Sequence, residues 1–403
     1  MATGTSGKLA IHGGAPVRDA SKSWPSWPIF DDTERTALNE VFESGQWWYG
    51  KRVARFEEDY AAFQDAQHCV TCTSGTTAIE IILQALGIGP GDEVIVPPYT
   101  FIATASAVAR CGAIPIFVDV DESWDLNPDL IEEAVSERTK AVMPVHFGGR
   151  VCDMDRIAAV ADKHGLDVIE DACHSWGSKW KGKGTGALGR CGAFSFQRSK
   201  NITAGEGGAI LTDDAELAAL CRSIANCGRR EGGAWYEHPV IGTNARLTEF
   251  GAALLSAQLS RLEAQTLLRE KNAAFLNEKL GAIEGLTPQP GDERITRRAY
   301  HVYCLRVDPA IFGCSRERLC EAAAAEGVPF GAGYGAPLYT QPAFATVPGA
   351  PDYTACRCPV TEDLCTTSGM WTLHQNLLGS EEDMQDIVDA FTKIKEHVHE
   401  LAD

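Results

Sequence analysis

Lys200 is the residue in this chain best placed to attack a carbonyl. It follows Phe194-Ser195-Phe196-Gln197-Arg198-Ser199 and precedes Thr203-Ala204-Gly205-Glu206-Gly207-Gly208, so it lies between a strand pattern and a glycine-rich turn. A lysine held in a partly buried site loses proton affinity and becomes a nucleophile toward aldehydes. Upstream, Thr73-Ser74-Gly75-Thr76-Thr77 joins a short apolar run to a helical pattern. Glycine permits close backbone approach. The first N–H groups of a helix have no internal acceptor and carry partial positive charge, which suits a phosphate. Ile169-Glu170-Asp171-Ala172-Cys173-His174 closes another strand pattern, and there the Asp171 carboxylate can pair with a cationic ring nitrogen.

Taken singly, these pieces also read as a helix N-cap, a capping aspartate and a surface lysine. Together they supply a phosphate cradle, a ring-nitrogen partner and an amine, which is the set a pyridoxal 5′-phosphate (PLP) site requires. Competing signatures are incomplete. No Walker A loop or G-x-G-x-x-G turn is present, and Gly331-Ala332-Gly333-Tyr334-Gly335 does not supply one, which counts against a nicotinamide oxidoreductase. Cys69-Val70-Thr71-Cys72 has metal-type spacing, but Cys356-Arg357-Cys358 does not complete a second pair, so no metal is expected.

In open α/β sheets, ligands sit beyond the carboxyl ends of the strands. The hydrophobic patterning predicts strands over 68–73, 93–96, 114–120, 140–145 and 167–170. Helices are predicted over 33–44, 52–63, 76–86, 104–111, 129–136 and 154–164. This βα alternation implies a mostly parallel sheet covered on both faces. Short strands and glycine-rich turns follow over 190–212, then a long helix over 248–280. A strand over 299–307 and helices near 316–326 and 381–397 complete the pattern. We therefore expect an α/β fold with an N-terminal arm (residues 1–30), a large domain (31–265) and a smaller α+β domain (266–403).

Bulk properties agree with a globular protein. The 403 residues are 44% hydrophobic and 23% charged, enough to bury a large core. With 36 Lys and Arg against 55 Asp and Glu, the formal net charge is −19, so nucleic acid and anionic membrane surfaces are not expected partners. The first 16 residues lack a basic segment followed by an apolar one, and the 14 cysteines are scattered, so a cytoplasmic location is expected.

Several motifs occur in an order that resembles the DegT/StrS-type sugar aminotransferases. They are the Ser74-Gly75-Thr76 turn, Pro98-Tyr99-Thr100-Phe101-Ile102-Ala103-Thr104, Glu170-Asp171-Ala172, Ser195-Phe196 with Lys200, Gly205-Glu206-Gly207-Gly208, and Gly242-Thr243-Asn244-Ala245-Arg246-Leu247-Thr248-Glu249. The resemblance implies the fold type I (aspartate aminotransferase-like) architecture of PLP-dependent transferases. By position, it implies Lys200 as the Schiff-base lysine, Asp171 on the pyridine nitrogen and Phe101 on one ring face. His174 would approach the ring or its 3′-oxygen, and Gly75, Thr76 and Ser195 would hold the phosphate. Asn244 would reach the phosphate of a neighbouring subunit, which implies a homodimer with shared sites. The implied reaction is ping-pong transfer from L-glutamate or L-glutamine to a keto sugar or keto cyclitol.

Leu9 to Arg18, Gly45-Gln46-Trp47-Trp48 and Trp371-Thr372-Leu373-His374 are similar to members acting on inososes. Gln46-Trp47-Trp48 and the 196–206 segment are also similar to 3-amino-5-hydroxybenzoate synthase. Nucleotide-sugar members, a related dehydratase and a non-catalytic PLP-binding sensor are the alternatives. The dehydratases carry His at the lysine position, and the Lys200–Asp171 pair disfavours a sensor. Trp47-Trp48-Tyr49 is read as near the substrate mouth or in the core, and His146 as a structural histidine. Arg246 and Glu249 are read as an ion pair. Tyr334, Tyr339, His301 and His374 are candidate pocket residues from the smaller domain.

Overall fold

The computed structural model describes residues 8–401. Thirteen strands form among the described residues, and several of those in the main layer are largely apolar. In chain order they are β1 (His68–Cys72), β2 (Glu93–Val96), β3 (Ile114–Phe117), β4 (Thr139–Val142) and β5 (Asp167–Asp171), then the two-residue β6 (Lys179–Trp180) and β7 (Lys183–Gly184). After these come β8 (Cys191–Ser195), β9 (Gly208–Thr212), β10 (Leu286–Pro288), β11 (Ile295–Arg297), β12 (Val302–Val307) and β13 (Gly369–Leu373). Seven of them build one sheet in the order β1-β9-β8-β5-β4-β2-β3, and only β9 runs antiparallel to its neighbours. Strands β2, β8 and β9 are buried end to end, as expected when helices cover both faces.

The helices of this layer are α1 (Asp32–Ser44), α2 (Lys51–Phe63), α3 (Gly75–Ala85), α4 (Ala103–Arg110), α5 (Pro128–Ile131), α6 (Met154–His164), α7 (Ala215–Ala225) and α8 (Glu249–Leu280). Their ends follow local chemistry. Asp31 and Glu34 form a capping box on α1, and left-handed Gly45 (φ 67°) ends it. Ser74 caps α3 by accepting from the Thr77 N–H at 3.1 Å. Four expected elements come out differently, among them the strand expected over 140–145, which ends at Val142. The strand expected over 114–120 stops at Phe117, because Asp119 turns away to accept from the Val360 and Thr361 N–H groups. The helix expected over 129–136 divides into α5 and a 3₁₀ turn over Glu132–Ala134. The strand expected from 299 begins at Val302, because Tyr300 adopts a left-handed φ of 48°. Helix α7, absent from the expectations, is capped by Asp214.

A three-stranded antiparallel sheet, β10-β12-β13, carries a second core with Leu305, Phe312, Phe330 and Phe391. Helix α8 serves both cores: Ala252, Leu255 and Leu262 pack with Phe56 and Phe196, whereas Ala273, Leu276 and Leu280 join the second core. The described part of the arm runs along that core. Leu9 is buried in it, and Arg18 pairs with Asp383 at 2.6 Å and Asp386 at 2.8 Å. No helix among the described residues is long and apolar enough to cross a membrane.

Candidate active site

The carboxyl ends of β1, β2, β5 and β8 each release a loop into the same space. They deliver Ser74, Gly75 and Thr76, then Thr100 and Phe101, then Asp171, Cys173 and His174, then Ser195 and Lys200. These residues enclose a cavity of about 490 Å³, closed from the second core by His301, Tyr334 and Trp371. Seven of the eight sequence-derived candidates therefore meet: Gly75, Thr76, Phe101, Asp171, His174, Ser195 and Lys200. Asn244 does not. It is exposed, and its backbone bridges to Asn226. A larger cavity of about 770 Å³, with Tyr49, Glu57 and Arg222 in its walls, contains none of these candidates.

Lys200 is half-buried, with its Nζ 5.7 Å from the Trp176 ring centre, and no carboxylate among the described residues forms an ion pair with it. Burial pushes the amine below the ordinary lysine range, against the opposing pull of Cys173 and Asp171. The loop carrying it is held at several points. Trp27 Nε1 donates to the Arg198 carbonyl at 3.0 Å, and the Arg198 guanidinium donates back to the Trp27 carbonyl at 3.2 Å. His374 Nε2 lies 2.9 Å from the Ser199 carbonyl. Arg269, which can only donate, reaches His374 Nδ1 at 3.2 Å, so Nε2 bears the proton and donates to Ser199. Burial lowers the Arg269 guanidinium to about 9.

Asp171 is buried at the end of β5. Its Oδ2 accepts from Thr104 Oγ1 at 2.7 Å and its Oδ1 from the Cys173 N–H at 3.2 Å. Thr104 is in turn paired with Thr100 at 3.0 Å. His174 is buried and its Nδ1 has no hydrogen-bond partner among the described residues; burial, then the charge of Lys200, hold its ring well below the ordinary histidine range. Gly75 must lack a side chain, since a Cβ there would lie 2.8 Å from both Cys173 Sγ and Ser195 Cβ. Only glycine lets the amino end of α3 rest directly on β8, with the free N–H groups of its first turn beside Ser195.

Other candidates are placed elsewhere. Tyr339 faces away and donates to Glu362 at 2.5 Å, and His374 lies behind the lysine loop; Tyr334 and His301 do line the cavity. His146 is fully buried outside it, bonded through Nε2 to Glu170 at 2.9 Å, with Nδ1 accepting from the Cys152 N–H. Trp47 and Trp48 are about half exposed and line neither cavity nor core. The Arg246–Glu249 pair is not formed. Arg246 donates to Asn226 Oδ1 at 2.9 Å and covers Trp48, while Glu249 accepts from the Arg52 and Val53 N–H groups. The orphan amides at the amino end of α2 attract the Glu249 carboxylate more directly than a guanidinium does. Glu249→Ala is accordingly expected to lower stability by about 1–2 kcal/mol, the loss of a helix cap, in chemical denaturation.

Thr104, Asn201 and Trp27 are site residues that the sequence reading gives no role. Thr104 ends the quoted 98–104 motif, so it was within reach; nothing local marks Asn201 or Trp27. Thr104→Val removes a buried donor from Asp171 while keeping the shape. It is expected to slow turnover about tenfold, the cost of leaving a carboxylate oxygen unpaired, with cofactor-free stability lowered by about 1–3 kcal/mol. Steady-state rates and thermal unfolding check both numbers.

The profile of the DegT/DnrJ/EryC1/StrS aminotransferase family matches residues 28–392. The 3-amino-5-hydroxybenzoate synthase of Amycolatopsis mediterranei (strain S699) is 40% identical over 90% of this chain and 94% of its own. The L-glutamine:2-deoxy-scyllo-inosose aminotransferase of Micromonospora echinospora is 38% identical over 98% of this chain and 99% of its own. A crystal structure of 3-amino-5-hydroxybenzoic acid synthase superposes with a TM-score of 0.86 at 37% identity, covering 94% of this chain and 99% of that one.

Proposed function

This chain belongs to the DegT/DnrJ/EryC1/StrS aminotransferase family and is a PLP-dependent aminotransferase; from there we propose that it moves an amino group from L-glutamine or L-glutamate to a keto cyclitol of the inosose type. The observation that carries the proposal is the convergence of Lys200, Asp171 and the Gly75–Ser195 cradle on one cavity, with the lysine amine enclosed and, among the described residues, in no ion pair. The full-length similarity to an L-glutamine:2-deoxy-scyllo-inosose aminotransferase supports the donor and the acceptor class.

The residues present fit PLP. The N–H groups of Gly75 and Thr76 and the Ser195 hydroxyl would hold the phosphate, Asp171 the ring nitrogen and Phe101 one ring face. The unpartnered Nδ1 of His174 leaves that ring free to meet the cofactor. Bound PLP would supply a sink for the electron pair left when a proton departs from the donor Cα. Lys200 Nζ, whose proton affinity is lowered by burial, takes that proton and later delivers one to the acceptor carbon that gains nitrogen. Thr104 keeps Asp171 oriented through its hydrogen bond to Oδ2. Donor and acceptor use one cavity in turn, hence ping-pong kinetics. Asn244, exposed in the protomer, would act as Asn244 of the partner subunit in a homodimer with shared sites.

The 40% identity to 3-amino-5-hydroxybenzoate synthase favours a second reading, in which the product bears a carboxylate. The test is a two-step spectral titration of PLP-loaded protein. L-glutamine or L-glutamate should shift the visible absorption, and a keto cyclitol should shift it back while one carbonyl oxygen becomes an amino group by mass spectrometry. No response to either donor contradicts the proposal. A return shift only with carboxylated or nucleotide-linked acceptors replaces the acceptor class.

A further inference from the structure

We infer that His301 is the residue that selects the amino acceptor, its Nε2 lone pair accepting a hydrogen bond from a hydroxyl of an uncharged polyol ring. The inference rests on the aminotransferase reading and names how the same cavity would recognise its second substrate.

His301 precedes β12, is buried, and lines the cavity together with Lys200. Its protonation is dictated by a neighbour. Asn201, next to Lys200 in the chain and itself buried, donates from Nδ2 to the Ala299 carbonyl at 2.9 Å, which turns Asn201 Oδ1 toward His301 Nδ1 at 3.0 Å. An amide oxygen only accepts, so Nδ1 of His301 must carry the hydrogen. A neutral ring with hydrogen on Nδ1 has a lone pair on Nε2, and among the described residues nothing donates to it.

The surroundings keep the ring neutral. His174 lies 4.3 Å away between ring centres, His374 5.7 Å and Trp176 5.4 Å. Burial first, then His174, Lys200, His374 and Arg269, hold the imidazole well below the ordinary histidine range. Because His301 lines the cavity together with Lys200, this lone pair is available to a substrate held there. Such an acceptor gains a bond from a hydroxyl and none from a carbonyl, carboxylate or phosphate oxygen, so at this position it favours a polyol ring. Trp371 and Tyr334, edge to face at 5.1 Å, supply apolar surface beside it for the C–H bonds of a saturated ring.

His301→Phe removes the lone pair and keeps a flat ring. His301→Gln can both donate to Asn201 Oδ1 and accept a hydroxyl. With PLP-loaded protein, His301→Phe should raise the KM for 2-deoxy-scyllo-inosose at least tenfold. Its spectral half-reaction with L-glutamine should stay within about threefold of the parent, and His301→Gln should recover most of the lost KM. Nitrogen-15 NMR of the parent protein should show the His301 ring neutral at pH 7 with hydrogen on Nδ1. An unchanged acceptor KM in His301→Phe, a donor half-reaction slowed in proportion, or hydrogen on Nε2 would each overturn the inference. A parent protein unresponsive to L-glutamine would instead contradict the aminotransferase reading, and the NMR result would still decide the state of His301.

Discussion

Lys200→Ala is expected to lower amino transfer by at least about 10³-fold and to abolish the visible absorption band of PLP-loaded protein, with the fold retained. One amine both anchors the cofactor and moves the proton, so a single truncation removes two contributions. The structure also predicts that stability will not fall. The amine is enclosed with no ion pair among the described residues, and burial lowers its proton affinity. Between its folded value and the ordinary lysine value of 10.5, the unfolded chain binds more protons than the folded one, so the stability of the cofactor-free parent should rise with pH across that window. Lys200→Ala should lack this rise and be at least as stable below it. Single-turnover spectra measure the first effect, and denaturation across alkaline pH measures the second.

Asp171→Asn is expected to cost about 10²–10³-fold in turnover with the acceptor KM little changed. The exchange preserves size. Thr104 and the Cys173 N–H can still bond the amide, since the Thr104 hydroxyl can either donate or accept. What disappears is the negative charge that would hold a proton on the pyridine nitrogen, and with it most of the ring's capacity as an electron sink. The variant should still take up PLP through Lys200 and fold normally. A turnover near that of the parent would remove Asp171 from the chemistry, and a loss of PLP binding would recast it as a binding residue.

Much of the fold was legible because local signals agree with tertiary need. Helix α6 lies where the apolar period, Asp153 and Gly165 together place it, and β2 where Glu93–Val96 runs apolar between turns. Helix α7 has the same kind of signal in Asp214 and its leucines, in the stretch between the glycine-rich turns and the long helix where no element is expected. The ends of β3 and β12 were not legible, because the pull of the 359–363 helix on Asp119 and the left-handed Tyr300 are consequences of packing.

The same division runs through the site. Lys200, Asp171 and Gly75 sit at strand ends and helix starts, where short-range pattern implies chemistry. Their supports come from far away in the chain: Thr104 is 67 residues from Asp171, Asn201 is 100 from His301 and Trp27 is 171 from Arg198. Pairings over such separations depend on how layers meet, and nothing in the local run around Trp27 or Asn201 records them. The Arg246–Glu249 expectation failed for a related reason. Charge pairing within a few residues was assumed, while the orphan amides of α2 offered the carboxylate a better partner.

The most direct measurement is borohydride reduction of the PLP-loaded protein, followed by proteolysis and mass mapping of the modified lysine. The account predicts one pyridoxyl-lysine per chain, at Lys200. Modification at another lysine, or no stable adduct under conditions that preserve the visible band, would contradict it.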